Sequence, residues 1–273
     1  MDIPYVYSDR NLDYRKYSLH LTSSLKTLLN KLARKGATNM VFTRFPYYNT
    51  KLSCKKLALE YNEGNCVAFA FYMKNLLKQH NIKSYIIGGK SPEKFSRPGY
   101  REINHAAVIV PYESGYVIFD TAFYIHKAII LDKSHNFQYC NDFTNVYSMV
   151  TDEWCFKLKD DKINITINKL DSCGYYQLKE IMNPQKSITL HTNEADKIVF
   201  RCELNNDFTS KLYYKVNLYN NTLVVVSNRQ PYINISLKDV DQIYLNNWIN
   251  ETNLLSSQKR KLFNDVKTFV TSH

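Results

Sequence analysis

Three residues of this chain, Cys66, His105 and Asp120, have the types and the order that a thiol nucleophile requires. A thiol attacks a carbonyl carbon after a base has removed its proton, and a carboxylate can hold that base in the correct tautomer. A cysteine on a helix, a histidine on a strand and an aspartate on the next strand form one such unit. The pattern predicts covalent acyl chemistry through Cys66, with His105 as the base and Asp120 as the residue that orients it.

A helix is predicted to begin at Cys66 and to run to about His80, with Cys66 and Ala70 on one face. The unpaired N–H groups and the positive dipole end of a helix N-terminus stabilise a thiolate. Gly64 allows the backbone to come close at this point. The amide of Cys66 or of a neighbour is therefore a candidate donor to an oxyanion.

Two predicted antiparallel strands bring the histidine and the aspartate together. The first runs from His105 to Val110 and the second from Tyr116 to Asp120, with a turn at Glu113–Gly115 between them. Because this hairpin places the start of the first strand beside the end of the second, His105 and Asp120 are expected to face each other.

The first sixty or so residues are predicted to be mostly helical. Ser23 or Ser24 is a candidate cap for a helix with leucines at helical spacing. Gly36 stands where a helix commonly ends in a left-handed residue.

Short strands dominate beyond about residue 150, and two helices, 237–249 and 256–272, are predicted to close the chain. The predicted fold class is α+β. It has a helical subdomain with the nucleophile helix over residues 1–82, an antiparallel β-barrel or sheet with the His and Asp over 83–195, and a C-terminal α/β lid over 196–273.

Composition indicates a folded protein with a basic surface. Hydrophobic residues make up 44% and charged residues 22% of the 273 residues, as in ordinary globular proteins. The net charge of +11 is compatible with nucleic acid, an anionic membrane or a polyanion such as coenzyme A. Its lysines and arginines are spread along the chain without a nucleic-acid-binding motif. A solvated basic surface is therefore favoured over binding of nucleic acid.

The sequence also bears on location and on metal binding. The N-terminus lacks the pattern of a signal peptide, and no apolar run approaches the ~20 residues that span a membrane. Six cysteines lack metal-binding spacing, so reduced thiols, no metal site and a cytoplasmic location without membrane contact are expected.

Several of these residues carry a resemblance to known enzymes. The run Gly64–Ala70, followed by Ile86–Gly89, resembles the nucleophile helix and following strand of the transglutaminase-like superfamily. His105 before alanine, and Val117–Asp120, resemble its His and Asp strands. Within that superfamily the overall shape is most similar to the arylamine N-acetyltransferases, in triad spacing, total length and the β-rich segment that ends in a helical lid. Asp120–Phe123 is similar to the Asp-x-Gly-Phe of that family.

This resemblance implies an activity. Acetyl-coenzyme A would acetylate Cys66, and an arylamine, a hydrazine or another small-molecule amine would then take the acetyl group in a ping-pong reaction. The coenzyme would be a substrate and not a permanently bound cofactor. The resemblance places Thr121, Phe123 and Lys127 near it, and the aromatic residues that could form an acceptor pocket are Tyr47, Tyr48, Phe95, Tyr100 and Phe123.

Two features of that family are missing from this chain. An arginine usually precedes the glycines before the cysteine, whereas Asn62-Glu63-Gly64-Asn65 stands here. A glutamate usually pairs with that arginine from the first domain, and Phe45–Asn49 lacks it.

Two other functions remain open. The same three residues would serve a transglutaminase-like protease or amidase that acts on Gln or Lys side chains or on peptide bonds. Alternatively, the chain is a catalytically inactive module whose basic surface binds nucleic acid or a protein. The presence of Cys66, His105 and Asp120 together favours an enzyme.

Overall fold

The computed structural model describes residues 12–49, 52–96, 102–132, 137–144, 151–159, 162–167, 172–180, 197–206, 210–229, 232–237 and 241–271. Within these residues the fold is α+β, as the sequence predicts, with helices near both ends and two β-sheets. Among the helices that the structure describes, none has the length and apolar character to cross a membrane.

The longest helices of the described residues each bury an apolar face. The helices are α1 (Ser23–Thr38), α2 (Pro46–Asn49), α3 (Cys54–Lys56, continued by the π-helical turn Leu57–Tyr61), α4 (Cys66–Gln79), α5 (Gln242–Glu251) and α6 (Ser256–Thr271). Short 3-10 turns lie at Tyr14–Lys16, Glu93–Phe95 and Thr121–Phe123.

The strands of the described residues belong to two sheets. They are β1 (Val41–Thr43), β2 (Glu63–Gly64), β3 (Tyr85–Lys90), β4 (His105–Tyr112), β5 (Gly115–Phe119), β6 (Ile129–Asp132), β7 (Phe137–Thr144), β8 (Thr151–Lys159), β9 (Lys162–Ile167), β10 (Ser172–Glu180), β11 (Ile198–Leu204), β12 (Ser210–Asn217), β13 (Thr222–Ser227) and β14 (Ile233–Ser236).

The eight-stranded sheet has the order β6-β5-β4-β3-β10-β9-β8-β7, and all its pairs are antiparallel. It curls until β6, at one edge, also contacts β8 near the other. The sheet is therefore a nearly closed barrel. Two core side chains of this barrel, Trp154 and Phe156, are fully buried.

Strand β4 is buried on both faces, which explains its continuous apolar run. Ala106, Val108 and Val110 pack in the core that includes α1 and α4, while Ala107 and Ile109 pack in the barrel core. Because side chains alternate along a strand, one strand joins both cores. The strand that begins with His105 is thereby held rigidly.

The six-stranded sheet has the order β14-β13-β12-β11-β1-β2 and packs against α5 and α6. Its strands β1 and β2 come from the N-terminal part of the chain, whereas β11 to β14 come from the C-terminal part. The predicted division at residues 82 and 195 stays a prediction, and its first and third parts share this sheet.

Two local predictions for α1 are wrong. The N-cap is Thr22, whose hydroxyl accepts from the Leu25 amide at 3.2 Å, rather than Ser23 or Ser24. Gly36 lies inside the helix, where a Cβ atom would stand 2.9 Å from Met73 Sδ. The glycine is needed for close packing of α1 on α4 and not for a left-handed turn.

Candidate active site

The helix that carries the predicted nucleophile begins at Cys66, as predicted. Asn65 caps it, and its Oδ1 accepts from the amides of Val67 at 3.1 Å and Ala68 at 3.3 Å. Gly64 has φ of +143°, and a Cβ atom there would stand 2.4 Å from Ala68 Cβ. This position therefore requires glycine, and the turn into the helix is tightly constrained.

The cap also bears on the oxyanion site. Its oxygen takes the second and third amides of the helix, those of Val67 and Ala68. The amide of Cys66 itself is not engaged by the cap. The amide of Cys66 therefore stays the predicted donor to the oxyanion of an acyl group on its own sulfur.

His105 and Asp120 lie together, as the predicted hairpin requires. His105 Nε2 is 2.7 Å from Asp120 Oδ2, and the two residues are 5% and 1% exposed. The other carboxylate oxygen accepts from the amide of Phe123 at 3.4 Å. His105 is the first residue of β4 and Asp120 directly follows β5, so adjacent strands hold both residues.

The protonation of His105 depends on these neighbours. Burial alone lowers the pKa of an imidazole. The charge of Asp120 and its hydrogen bond outweigh burial and, together with a hydrogen bond to Cys66, raise the pKa of His105 to about 10. Because Asp120 engages Nε2, Nδ1 is the ring nitrogen left for the thiol. A positively charged imidazole at neutral pH is the counter-ion that a thiolate needs.

Tyr176 completes the support of Asp120, and the sequence analysis missed it. This fully buried tyrosine on β10 donates its hydroxyl to Asp120 Oδ2, the oxygen that also binds His105. Burial, and next the charge and hydrogen bond of Asp120, raise the pKa of Tyr176 well above its ordinary value. Tyr176 of β10 pairs with Gly89 of β3, and Gly89 pairs on its other side with His105 of β4.

Gly89 makes room for this arrangement. A Cβ atom at that position would stand 2.9 Å from Tyr176 Cδ1 and 2.3 Å from the carbonyl oxygen of Tyr175. The alternation of Tyr176 and Leu178 within Ser172–Glu180 is the sequence signal of a strand. That β10 pairs with β3, and so reaches Asp120, is decided by long-range pairing.

An aromatic wall, formed by Phe95, Phe123 and Trp154, stands beside the imidazole. The ring of Phe123 is 4.3 Å from that of His105, and its centroid is 5.4 Å from Phe95 and 5.1 Å from Trp154. Phe95 and Phe123 are partly exposed, whereas Trp154 is buried. The wall is an apolar surface beside the reacting groups.

The other predicted pocket residues lie elsewhere. The hydroxyl of Tyr47 accepts from the amide of Asn65 at 3.2 Å, behind the nucleophile. Tyr48 packs against Phe269 at 4.8 Å in the C-terminal core. Tyr100 lies outside the described residues. The structure thus brings Phe123 to His105 and Phe95 to Phe123, whereas Tyr48 lies in the C-terminal core.

The three predicted coenzyme residues have different surroundings. Thr121 is buried at 3% exposure and packs next to Gly36. Phe123 belongs to the aromatic wall, and Lys127 is exposed. Their contact with a coenzyme stays a prediction.

Comparison with solved structures shows which fold this is. An arylamine N-acetyltransferase from Salmonella typhimurium is similar in structure to this chain, with a TM-score of 0.56 and 9% identity. The match covers 93% of this chain and 94% of that enzyme. The match to the arylamine N-acetyltransferase from M. tuberculosis covers 90% of this chain and 95% of that enzyme, with a TM-score of 0.53 and 12% identity. Arylamine N-acetyltransferase C from Bacillus anthracis matches 81% and 88%, with a TM-score of 0.53 and 12% identity.

The chain therefore has the arylamine N-acetyltransferase fold, and the predicted resemblance is confirmed at the level of fold. A scan against protein-family models and a search of curated proteins find no match. The likeness lies in the arrangement of strands and helices, at 9% to 12% sequence identity.

Proposed function

We propose that this protein is a cysteine-dependent acyltransferase that moves an acetyl group from acetyl-coenzyme A to an amine through acetyl-Cys66. The observation that carries the proposal is the buried His105, which is bonded to Asp120 and interacts with Cys66. The fold, shared with arylamine N-acetyltransferases, supports acetyl transfer over other acyl chemistry.

In the first half-reaction, the thiolate of Cys66 attacks the acetyl carbonyl of the donor. The developing oxyanion accepts from the amide of Cys66. The bond from the carbonyl carbon to the coenzyme sulfur breaks, and the imidazolium of His105 gives its proton to the departing thiolate. The products are acetyl-Cys66, free coenzyme thiol and neutral His105.

In the second half-reaction, the nitrogen of the amine attacks acetyl-Cys66. His105 takes a proton from that nitrogen, and the bond from the carbonyl carbon to Cys66 Sγ breaks. The amide leaves, and Cys66 returns as a thiolate beside protonated His105. Asp120 keeps the imidazole oriented in both halves and does not take the proton itself.

The surroundings of His105 bear on the acceptor and the donor. Phe123, which is partly exposed, packs against the imidazole, and the partly exposed Phe95 packs against Phe123. A flat aromatic amine stacks on such a surface better than an aliphatic one. We assign the coenzyme to the side of Thr121, Phe123 and Lys127, where the exposed ammonium of Lys127 would meet phosphate.

The test is intact-mass analysis of the purified protein after incubation with acetyl-coenzyme A, with Cys66→Ala and Cys202→Ala as matched variants. We expect one added acetyl group on the wild type and on Cys202→Ala, none on Cys66→Ala, and its loss when an arylamine is added. Acetylation of Cys66→Ala to the same extent would refute the proposal.

Two other outcomes lead to the other functions. If no acetyl group is added but iodoacetamide alkylates Cys66 selectively at low pH, the thiol is active, and peptides and glutamine side chains become the substrates to test. If Cys66 is no more reactive than the other thiols, the protein is not a cysteine enzyme. Binding of nucleic acid or of a protein then becomes the function to test.

A further inference from the structure

A buried ion pair joins the C-terminal part of the chain to the strand that precedes the nucleophile. Arg201, on β11, donates from Nη1 to Glu63 Oε2 at 2.7 Å and from Nε to Glu203 Oε1 at 2.8 Å. The side chains of Arg201, Glu63 and Glu203 are 8%, 13% and 17% exposed. One guanidinium therefore binds two nearly buried carboxylates.

The position of Glu63 connects this pair to catalysis. Glu63 and Gly64 form β2, which lies at the edge of the six-stranded sheet and pairs in parallel with β1. Asn65 and Cys66 follow directly. A two-residue edge strand is held by few backbone hydrogen bonds, so a charge-assisted side-chain contact adds to what holds it in place.

The pair also reaches across the sheet. Val41 of β1 pairs with Glu63, while the next strand, β11, pairs its Arg201 with Thr43 of β1. Arg201 is therefore two strands away from Glu63, and its side chain crosses β1 to reach the carboxylate. The ammonium of Lys261, on α6, lies 3.8 Å from Glu63 Oε1 and adds a second, partly exposed cation.

We propose that the Glu63–Arg201 ion pair is a positioning contact for the nucleophile. It holds β2 and the Gly64–Asn65 turn, so that Cys66 enters α4 with its sulfur at His105. The inference rests on the proposed function, because it assigns C-terminal residues that do not touch substrate a part in the reactivity of Cys66.

The second carboxylate of Arg201 provides a matched control. Glu203 binds the same guanidinium at nearly the same distance and is buried to nearly the same extent. Because Glu203 lies on β11, the strand of Arg201 itself, its removal leaves the contact between Arg201 and Glu63 of β2 in place. Removal of either carboxylate leaves Arg201 with one partner. A purely structural role therefore predicts equal effects from both.

The experiment compares Glu63→Ala with Glu203→Ala, and adds Glu63→Gln. For each variant we would measure the rate constant of Cys66 alkylation by iodoacetamide from pH 6 to 9, together with the melting temperature. Iodoacetamide is small and needs no binding site, so the rate reports the ionisation and the accessibility of the thiol. Three ionisable side chains of the described residues interact with the side chain of Cys66, namely His105, Cys54 and Tyr47. The substitutions do not change any of these three residues.

For Glu63→Ala we expect alkylation at pH 6.5 to be about tenfold slower, because a displacement of about 1 Å in a supporting shell has effects of this size or larger. The pH profile should move upward as the thiol loses contact with the imidazolium. For Glu203→Ala we expect a change of less than about twofold at a similar loss of melting temperature. Glu63→Gln keeps an acceptor for Arg201 and should recover most of the rate.

Equal slowing by Glu63→Ala and Glu203→Ala, or no slowing by either, overturns the inference. If Glu63→Ala does not fold, Glu63→Gln decides. A rate and pH profile near those of the wild type are expected in that variant at a lowered melting temperature. Slowing as large as the tenfold expected for Glu63→Ala would overturn the inference. Failure of acetylation in the wild type, with a tenfold contrast in alkylation retained, overturns the acetyltransferase proposal alone. A wild-type Cys66 that iodoacetamide does not alkylate selectively overturns both.

Discussion

The first turns of α3 and α4 each begin with a buried cysteine behind a polar cap. Ser53 caps the helix that starts at Cys54, and Asn65 caps the one that starts at Cys66. The thiols are 5% and 7% exposed. Yet burial raises the pKa of Cys54 to about 11, whereas Cys66 shares a hydrogen bond with His105.

From this difference we expect that a helix N-terminus does not by itself activate a thiol. Cys54 donates to Asn65 Oδ1 at 3.6 Å and interacts with Tyr47, neither of which is a cation. Cys202 in β11, with 1% exposure, is a further inert case, and burial raises its pKa to about 12. What distinguishes Cys66 is a charged imidazole held by a buried carboxylate.

The substitution with the largest expected effect on the difference between Cys66 and Cys54 is Asp120→Asn. An amide cannot stabilise the imidazolium of His105, so Cys66 should become nearly as inert as Cys54. We expect acylation of Cys66 to slow by about 10³-fold, as measured by single-turnover mass spectrometry. Asp265 is also buried and accepts from Tyr214 at 2.6 Å, so Asp265→Asn is the matched control and should stay near the wild-type rate.

The selectivity of alkylation directly tests the difference between Cys66 and the other two buried cysteines. At pH 7 a thiol with a pKa of about 11 is ionised to about one part in 10⁴, so iodoacetamide should modify Cys66 at least ~100-fold faster than Cys54 or Cys202. Peptide mapping after brief labelling measures this ratio. Labelling of Cys54 at the rate of Cys66 would show that the helix N-terminus, rather than His105, activates both.

A smaller effect is expected from Tyr176→Phe. Loss of its hydroxyl removes one of the hydrogen bonds that hold the Asp120 carboxylate, and we expect acylation to slow by about fivefold to tenfold. Tyr214→Phe removes an equally buried hydroxyl from Asp265 and should leave the rate unchanged. Equal slowing in both variants would point to general loosening of the fold.

The last effect is on stability rather than on rate, and it concerns the dependence of unfolding on pH. The pKa of His105 is about 10 in the folded protein against an ordinary value of 6.5, so its contribution is fully present below pH 6.5 and is lost as pH rises toward 10. Urea unfolding should show a fall of about 2 kcal/mol in the free energy of unfolding between pH 6.5 and 8.5. In Asp120→Asn this fall should be largely absent, and its persistence would assign it to another group.

Much of the active-site region could be predicted from the sequence because its determinants are local. The Asn65 cap, the glycine at position 64 and the apolar periodicity of α4 are signals within a few residues. The hairpin from His105 to Asp120 depends on a short turn, so its register follows from local spacing as well. These contacts close short loops, and the chain segments that form them carry their own patterns.

The side chains that support those residues could not be predicted from the sequence, because they come from distant strands. Tyr176 reaches Asp120, and Arg201 reaches Glu63, because distant strands pair with β3 and with β1. Gly36 shows the same limit, since its role depends on Met73 of another helix. The sequence predicts Cys66, His105 and Asp120 as the residues that carry the chemistry, and it predicts the order of their elements. Which partners hold those residues depends on long-range strand pairing, where many registers satisfy the same alternating pattern and only packing of the whole core selects one.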